Sequence, residues 1–77
     1  MNIKSEVFVY KNGVIKRLDD YMGFGIVEIE ETKTQYPFRF SSIHGYKGQP
    51  LKELHIKEGS RVHFELENDL IKNLDAA

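Results

Sequence analysis

The chain has 77 residues, a formal net charge of −1 and no cysteine. A chain of this length is expected to form one domain with a small core, and the absence of cysteine excludes disulfides and thiolate-based metal or redox sites. The near-zero charge argues against avid non-specific binding to duplex DNA, but it leaves open binding to unpaired strands, where base stacking supplies much of the energy.

The N-terminal part contains two apolar runs on either side of Asn12-Gly13. The runs are VFVY and VIKRL, and Asn-Gly between runs of this kind is a strong hairpin signal because both turn positions require positive φ. We therefore predict strands near residues 6–10 and 14–19. If Gly13 only makes a bulge, the same residues would form one long bent strand.

The next strand is predicted in the stretch GFGIVEIEE, where apolar and acidic residues alternate. Val27 and Ile29 fall on one face, while Phe24, Ile26 and Glu28 fall on the other. Phe24 is therefore expected to be an outward ring between two glycines. Glycine weakens a strand interior unless the backbone bulges or another group approaches it closely, and we interpret the two glycines as room for a ligand beside Phe24.

The rest of the chain also reads as short strands separated by turns. QYPFRF is predicted as a strand, and Pro37 places it at an edge because proline donates no backbone hydrogen bond. A long connection follows, in which LKEL can form one helical turn. Apolar and polar residues alternate in RVHFELE, which is predicted as a strand. Asn68-Asp69 is a predicted turn, and LIKNL is the last predicted strand. Five or six short strands with almost no helix indicate an all-β chain that forms a small closed barrel.

The stretch GFGIVEI resembles a ribonucleoprotein motif of two families, the RRM and the cold-shock domain. The RRM fold requires two amphipathic helices of about a dozen residues each, and no stretch of this sequence shows the pattern of such a helix. GVIKRLDDYMGFGIV, QYPFRFSSI and KEGSRVHFELE are together similar in order and spacing to the cold-shock domain. The resemblance implies a five-stranded, cold-shock-like OB-fold barrel over residues 13–75. Residues 1–12 would form an N-terminal extension that can add a strand.

This resemblance implies that single-stranded RNA or DNA binds by stacking its bases on an aromatic and basic face of the sheet. Arg17 stands where the family has its stacking tryptophan, and Ile26 and Pro37 stand where it has phenylalanines. The loss of these rings predicts weak binding, because each stacked base contributes about 1–3 kcal/mol. The predicted nucleic-acid-binding residues are Lys16, Arg17, Phe24, Ile26, Phe38, Arg39, Phe40 and Tyr46.

A second hypothesis is a divergent barrel that binds a protein partner or associates with itself as a weak homodimer. Phe24, Ile26, Pro37 and Phe40 would then form an exposed apolar patch, which is unusual on a monomer. The VFVY segment would offer a strand for edge addition or swapping.

Catalytic, metal and membrane functions find little support in the sequence. The three histidines, at positions 44, 55 and 63, lack ligand-like spacing, and no nucleophile motif or phosphate-binding loop is visible. We therefore expect no enzyme activity, no cofactor and no metal. No apolar run reaches the ~20 residues of a membrane helix, and the N-terminus lacks a signal-peptide core, so we expect a cytoplasmic protein with no membrane partner.

Overall fold

A computed structural model describes residues 8–77 of the chain. They form five β-strands and two short 3₁₀ turns, with no α-helix among the described residues. The strands are β1 (Phe8–Asp19), β2 (Phe24–Ile29), β3 (Gln35–Arg39), β4 (Arg61–Glu67) and β5 (Leu70–Ala76). The 3₁₀ turns span Phe40–Ser42 and Leu51–Leu54, and the second is the helical turn predicted from LKEL.

The five strands form one sheet in the order β3-β2-β1-β4-β5, and all neighbours are antiparallel. The sheet curls until its two ends approach each other. A parallel bridge between Ile43 and Leu74 joins them, with the His44 N–H donating to the Leu74 carbonyl at 2.8 Å. Beside this bridge, no strand pairing among the described residues joins β3 to the start of β5, and we call this gap the open seam. The Tyr36 hydroxyl spans it by donating to Asp69 Oδ1 at 3.4 Å. The all-β, OB-like barrel predicted from the sequence is confirmed.

β1 is one long strand, so the hairpin predicted at Asn12-Gly13 is wrong and the alternative of a single bent strand is right. Residues 8–14 pair with β4, and residues 13–19 pair with β2. Gly13 lies where the three strands meet. A Cβ built there would be 2.5 Å from the Glu28 carbonyl oxygen and 3.2 Å from the Phe64 ring, so only glycine fits at this position.

The extension predicted for residues 1–12 therefore contributes residues 8–12 to β1 itself, and its residues 1–7 lie outside the described part of the chain. The register of β1 against β2 shifts between Ile15 and Arg17, which makes Lys16 the extra residue of a bulge.

The core fills the inside of the curl, and no polar or charged side chain is buried among the described residues. β2 shows the predicted alternation, with Val27 and Ile29 buried. Residues of the long connection close one end of the barrel, where the Gly59 N–H donates to the Ile15 carbonyl at 2.8 Å. The buried core residues are Ile15, Val27, Ile29, Phe38, Phe40, Ile43, Leu51, Ile56, Val62, Phe64, Ile71 and Leu74.

Two predicted turn features hold. Asn68 and Asp69 have φ values of 52° and 67°, as expected of a two-residue hairpin turn with both central residues left-handed. β3 lies at the end of the sheet order, as Pro37 predicted. The Phe40 N–H donates to Gly23 on the β2 side at 2.9 Å. Because successive residues of a strand point their N–H groups to opposite sides, position 37 faces the open seam, where its missing N–H breaks no bond to β2.

Candidate nucleic-acid interface

The outer face of β1, β2 and β3 presents three rows of side chains, which the strand register defines, and the first row contains Val14, Glu28 and Gln35. Arg17, Ile26 and Pro37 lie side by side in the central row. Asp19, Phe24 and Arg39 form the next row, at the end of the sheet that leads into the β1–β2 turn. OB-type barrels bind their ligands on this part of the sheet, between the loops that follow the first and fourth strands.

Phe24 lies on the outer face as predicted, and it is half-buried rather than bare. The Arg17 guanidinium carbon lies 5.6 Å from the centre of the Phe24 ring, which is within cation–π range. Arg17 also approaches Asp19, with Nη2 and Oδ2 3.6 Å apart, and its side chain remains 61% exposed. Because the Arg17 side chain itself is largely exposed and its ion pair with Asp19 is long, the guanidinium can move when a ligand arrives.

Glycine is needed on the two sides of Phe24 for different structural reasons. Gly23 has a φ of 72°, which the β1–β2 turn requires, and no atom of the described residues lies within 4 Å of the position a Cβ would take. Gly25 is buried, and a Cβ there would be 2.7 Å from the Phe38 ring. The room for a ligand predicted at both glycines is therefore wrong for Gly25, which is needed for packing inside the barrel.

Phe38 and Phe40 do not belong to the predicted base-stacking face. Their exposed fractions are only 4% and 5%, so neither ring offers a face to a base. Phe38 pairs with Gly25 in the register, and both point inward because strand residues alternate between the two faces. Phe40 packs edge-on against Tyr46, with ring centres 5.7 Å apart and planes at 73°. Both phenylalanines stabilise the core.

The remaining predicted residues are accessible to different degrees. Arg39 is exposed beside Phe24 and forms no ion pair within residues 8–77. Ile26 and Tyr46 are half-buried, and Lys16 is exposed at the bulge. Of the predicted residues, Arg17, Phe24, Ile26 and Arg39 are therefore adjacent on one surface, and Tyr46 borders it from the long connection.

A cleft of about 730 Å³, which we call the sheet cleft, lies beside Phe24 and Arg39. Its walls are formed by the β1–β2 turn, the end of β3 and the start of β5. The residues that line it include Met22, Phe24, Pro37, Arg39, Tyr46 and Leu70. Its size falls within the range typical of ligand sites.

Three exposed apolar side chains at the two turns were not predicted as site residues. Tyr21 is 94% exposed and Met22 67%, both in the β1–β2 turn, and Leu70 is 61% exposed after the β4–β5 turn. The β1–β2 turn is held by Asp19, whose Oδ1 accepts the Met22 N–H at 2.9 Å. A sequence signal was present, because each of these residues lies next to turn-forming residues rather than on the apolar face of a strand.

The acidic residues near this face are partly engaged. Glu28 accepts a hydrogen bond from Gln35 at 3.0 Å, and Glu30 pairs with Arg61 at 2.8 Å. No cluster of three or more histidine, aspartate or glutamate side chains in the described part of the chain could hold a metal ion. Within residues 8–77 there is also no helix long and apolar enough to cross a membrane.

Comparison with known proteins gives a structural match alone. No family model and no curated protein sequence matches the chain. Among solved structures, it is similar to apo-CusF from Escherichia coli, determined at 1.5 Å, with a TM-score of 0.62 and 15% sequence identity over 100% of this chain and 95% of that one. At this level of identity the match shows the fold: the chain is a small β-barrel of that type.

Proposed function

We propose that the protein binds single-stranded nucleic acid weakly on the outer face of β2 and β3. The observation that supports this most directly is the half-buried Phe24 ring in the sheet cleft, with Arg17 over it and Arg39 beside it. An aromatic ring with guanidinium groups around it suits a base and its phosphate, because guanidinium planes stack on bases and pair with phosphates. The cold-shock resemblance points to the same ligand class. In this proposal the barrel binds and does not catalyse.

The burial of Phe38 and Phe40 lowers the expected affinity. Phe24 and Tyr46 are the rings of the predicted set that remain accessible. At about 1–3 kcal/mol per stacked base, they supply roughly 2–6 kcal/mol. Arg39 adds a phosphate contact, while Asp19 opposes it. We therefore expect dissociation constants of about 1 μM to 1 mM, which correspond to about −8 to −4 kcal/mol.

The test is a titration of the isotope-labelled protein with oligo-dT and oligo-U, followed by NMR. We expect saturable shifts for residues 17–26 and 37–39. Phe24→Ala should weaken binding by about 1–3 kcal/mol, because it removes the stacking ring. Tyr10→Ala is the matched control, since Tyr10 is 77% exposed and pairs with β4 on another part of the sheet.

If Phe24→Ala and Tyr10→Ala bind with the same affinity as the unsubstituted protein, the ring does not stack bases. If neither oligonucleotide shifts any resonance at millimolar concentration, the chain does not bind nucleic acid, and the proposal fails as a whole.

A second candidate function is binding of a protein partner or self-association through the same region. Tyr21, Met22 and Leu70 favour it, because they expose apolar surface on two turns that border the sheet cleft. Exposed apolar patches of this kind often mark interaction sites. Light scattering of the free protein tests the self-association: a concentration-dependent dimer that Met22→Lys disrupts, without any response to oligonucleotides, would favour this function over the first.

A further inference from the structure

The sheet cleft has a neighbour of similar size under the long connection. This second cleft, the loop cleft, has a volume of about 750 Å³ and lies between the end of β1 and residues 46–58. Phe40 and Tyr46 line both clefts. Because the Phe40 ring is buried, the half-buried Tyr46 ring is the accessible part of the boundary between them. The two clefts therefore form adjoining halves of one surface.

Tyr46 is held in place by the core rather than by the loop alone. Its ring packs edge-on against Phe40, and its N–H donates to the Ile43 carbonyl at 3.1 Å. Ile43 in turn forms the bridge that joins the two ends of the sheet. An aromatic ring that is fixed in this way offers a base a stacking surface at low entropic cost.

Two lysines line the loop cleft. Lys52 lies on the second 3₁₀ turn, and Lys57 follows that turn. His55, with a φ of 62°, ends the turn in the left-handed conformation. Neither ammonium group forms an ion pair within residues 8–77. The apolar floor between them consists of Leu18, Leu51 and Ile56.

Two acidic residues also line the loop cleft, and they differ in their hydrogen bonding. Glu58 is engaged, because its Oε2 accepts the Leu18 backbone N–H at 3.0 Å. Asp20 is exposed in the β1–β2 turn. Both carboxylates oppose an anionic ligand, and Asp20 is the one that can be replaced without losing a hydrogen bond within residues 8–77.

We propose that a single-stranded nucleic acid bound on the sheet face continues past Tyr46 into the loop cleft, where Lys52 and Lys57 bind its phosphates. This inference rests on the proposed function and extends it, since it assigns a second half-site to the same ligand. It predicts that a strand long enough to occupy both clefts gains contacts that a short strand does not make. OB-type modules cover about 4–16 nucleotides, so a length of about eight nucleotides is sufficient and about three is not.

The experiment compares fluorescein-labelled oligo-dT of about three and about eight nucleotides by anisotropy. The test variant carries Lys52→Gln and Lys57→Gln together, and the matched control carries Lys33→Gln, an exposed lysine in the β2–β3 turn. For the longer strand, the double variant should bind several-fold more weakly. The slope of log affinity against log salt concentration should become less steep by about 1.4, because each of the two lost phosphate contacts contributes about 0.7 to that slope. For the shorter strand, it should bind like the control.

A second variant tests the same surface with the opposite sign. Asp20→Asn removes the opposing charge, so it should strengthen binding of the longer strand and leave the shorter one unchanged. Equal losses for both lengths in the double lysine variant, or no change in its salt dependence, would overturn the two-cleft path while leaving the proposed function standing. If the unsubstituted protein binds neither strand, both proposals fall together.

Discussion

Substitution of Gly13 tests the long bent strand against the hairpin that the sequence suggested. A Cβ at this position would lie 2.5 Å from the Glu28 carbonyl oxygen and 3.0 Å from the Val27 side chain. The oxygen belongs to the main chain of β2 and cannot rotate away, so β1 and β2 would have to separate at the centre of the barrel. Overpacking costs about 1–3 kcal/mol, and this rigid contact puts the expected loss for Gly13→Ala at about 2–3 kcal/mol.

The assay is urea denaturation followed by circular dichroism, with thermal melting as a second measure. A loss of 2–3 kcal/mol should lower the melting temperature by about 8–24 °C in a domain of this size. Such a loss is a large fraction of the roughly 4–12 kcal/mol expected for 77 residues.

Asn12→Val is the companion variant. In the continuous strand Asn12 is exposed and extended, so a β-branched residue should change the unfolding free energy by less than about 0.5 kcal/mol. In a hairpin turn the same residue would need positive φ, which costs valine about 1–3 kcal/mol. A mild Gly13→Ala together with a severe Asn12→Val would refute the continuous strand.

Three further predictions concern the core, the open seam and the outer face of the sheet. Phe38→Ala should lower the unfolding free energy by about 3–5 kcal/mol, because its ring is buried; a loss below about 1 kcal/mol in denaturant titrations would contradict its place in the core. Pro37→Ala should leave the fold intact but add an unpaired N–H at the open seam, and therefore raise self-association in size-exclusion chromatography; elution that is independent of concentration would count against it. Asp19→Asn should strengthen oligonucleotide binding in the NMR titration, because it frees Arg17 from its partner; weaker binding by a variant of unchanged stability would mean that Asp19 assists the ligand.

Much of the fold follows from local patterns in the sequence. Alternation in GFGIVEI correctly placed Val27 inside and Phe24 outside, and Asn68-Asp69 forms the turn that its residue types predicted. The Asn12-Gly13 signal failed because that glycine is required by the close approach of β2, whose Glu28 carbonyl oxygen would lie 2.5 Å from a Cβ at position 13. No local pattern reveals such a long-range contact.

The candidate site was less predictable than the fold. Phe38, Arg39 and Phe40 cannot all face the same side of a strand, and alternation alone would have turned both phenylalanines inward, as the structure does. Met22 and Leu70 come together at the sheet cleft only through the curling of the sheet, which brings the β1–β2 turn close to the start of β5. The turn residues beside them signal that these side chains are exposed, but their grouping on one surface depends on how the sheet curls, and this could not be derived from spacing.

The guanidinium group over Phe24 influences which ligands can stack on the ring. A planar ligand that reaches this face of the ring either displaces the Arg17 guanidinium or stacks on the guanidinium itself. A neutral aromatic compound that displaces the arginine replaces the cation–π contact of Phe24 with a stacking contact, so little is gained. A molecule that carries a negative group close to its ring keeps the arginine as a partner, so the side chain favours anionic aromatic compounds over neutral ones.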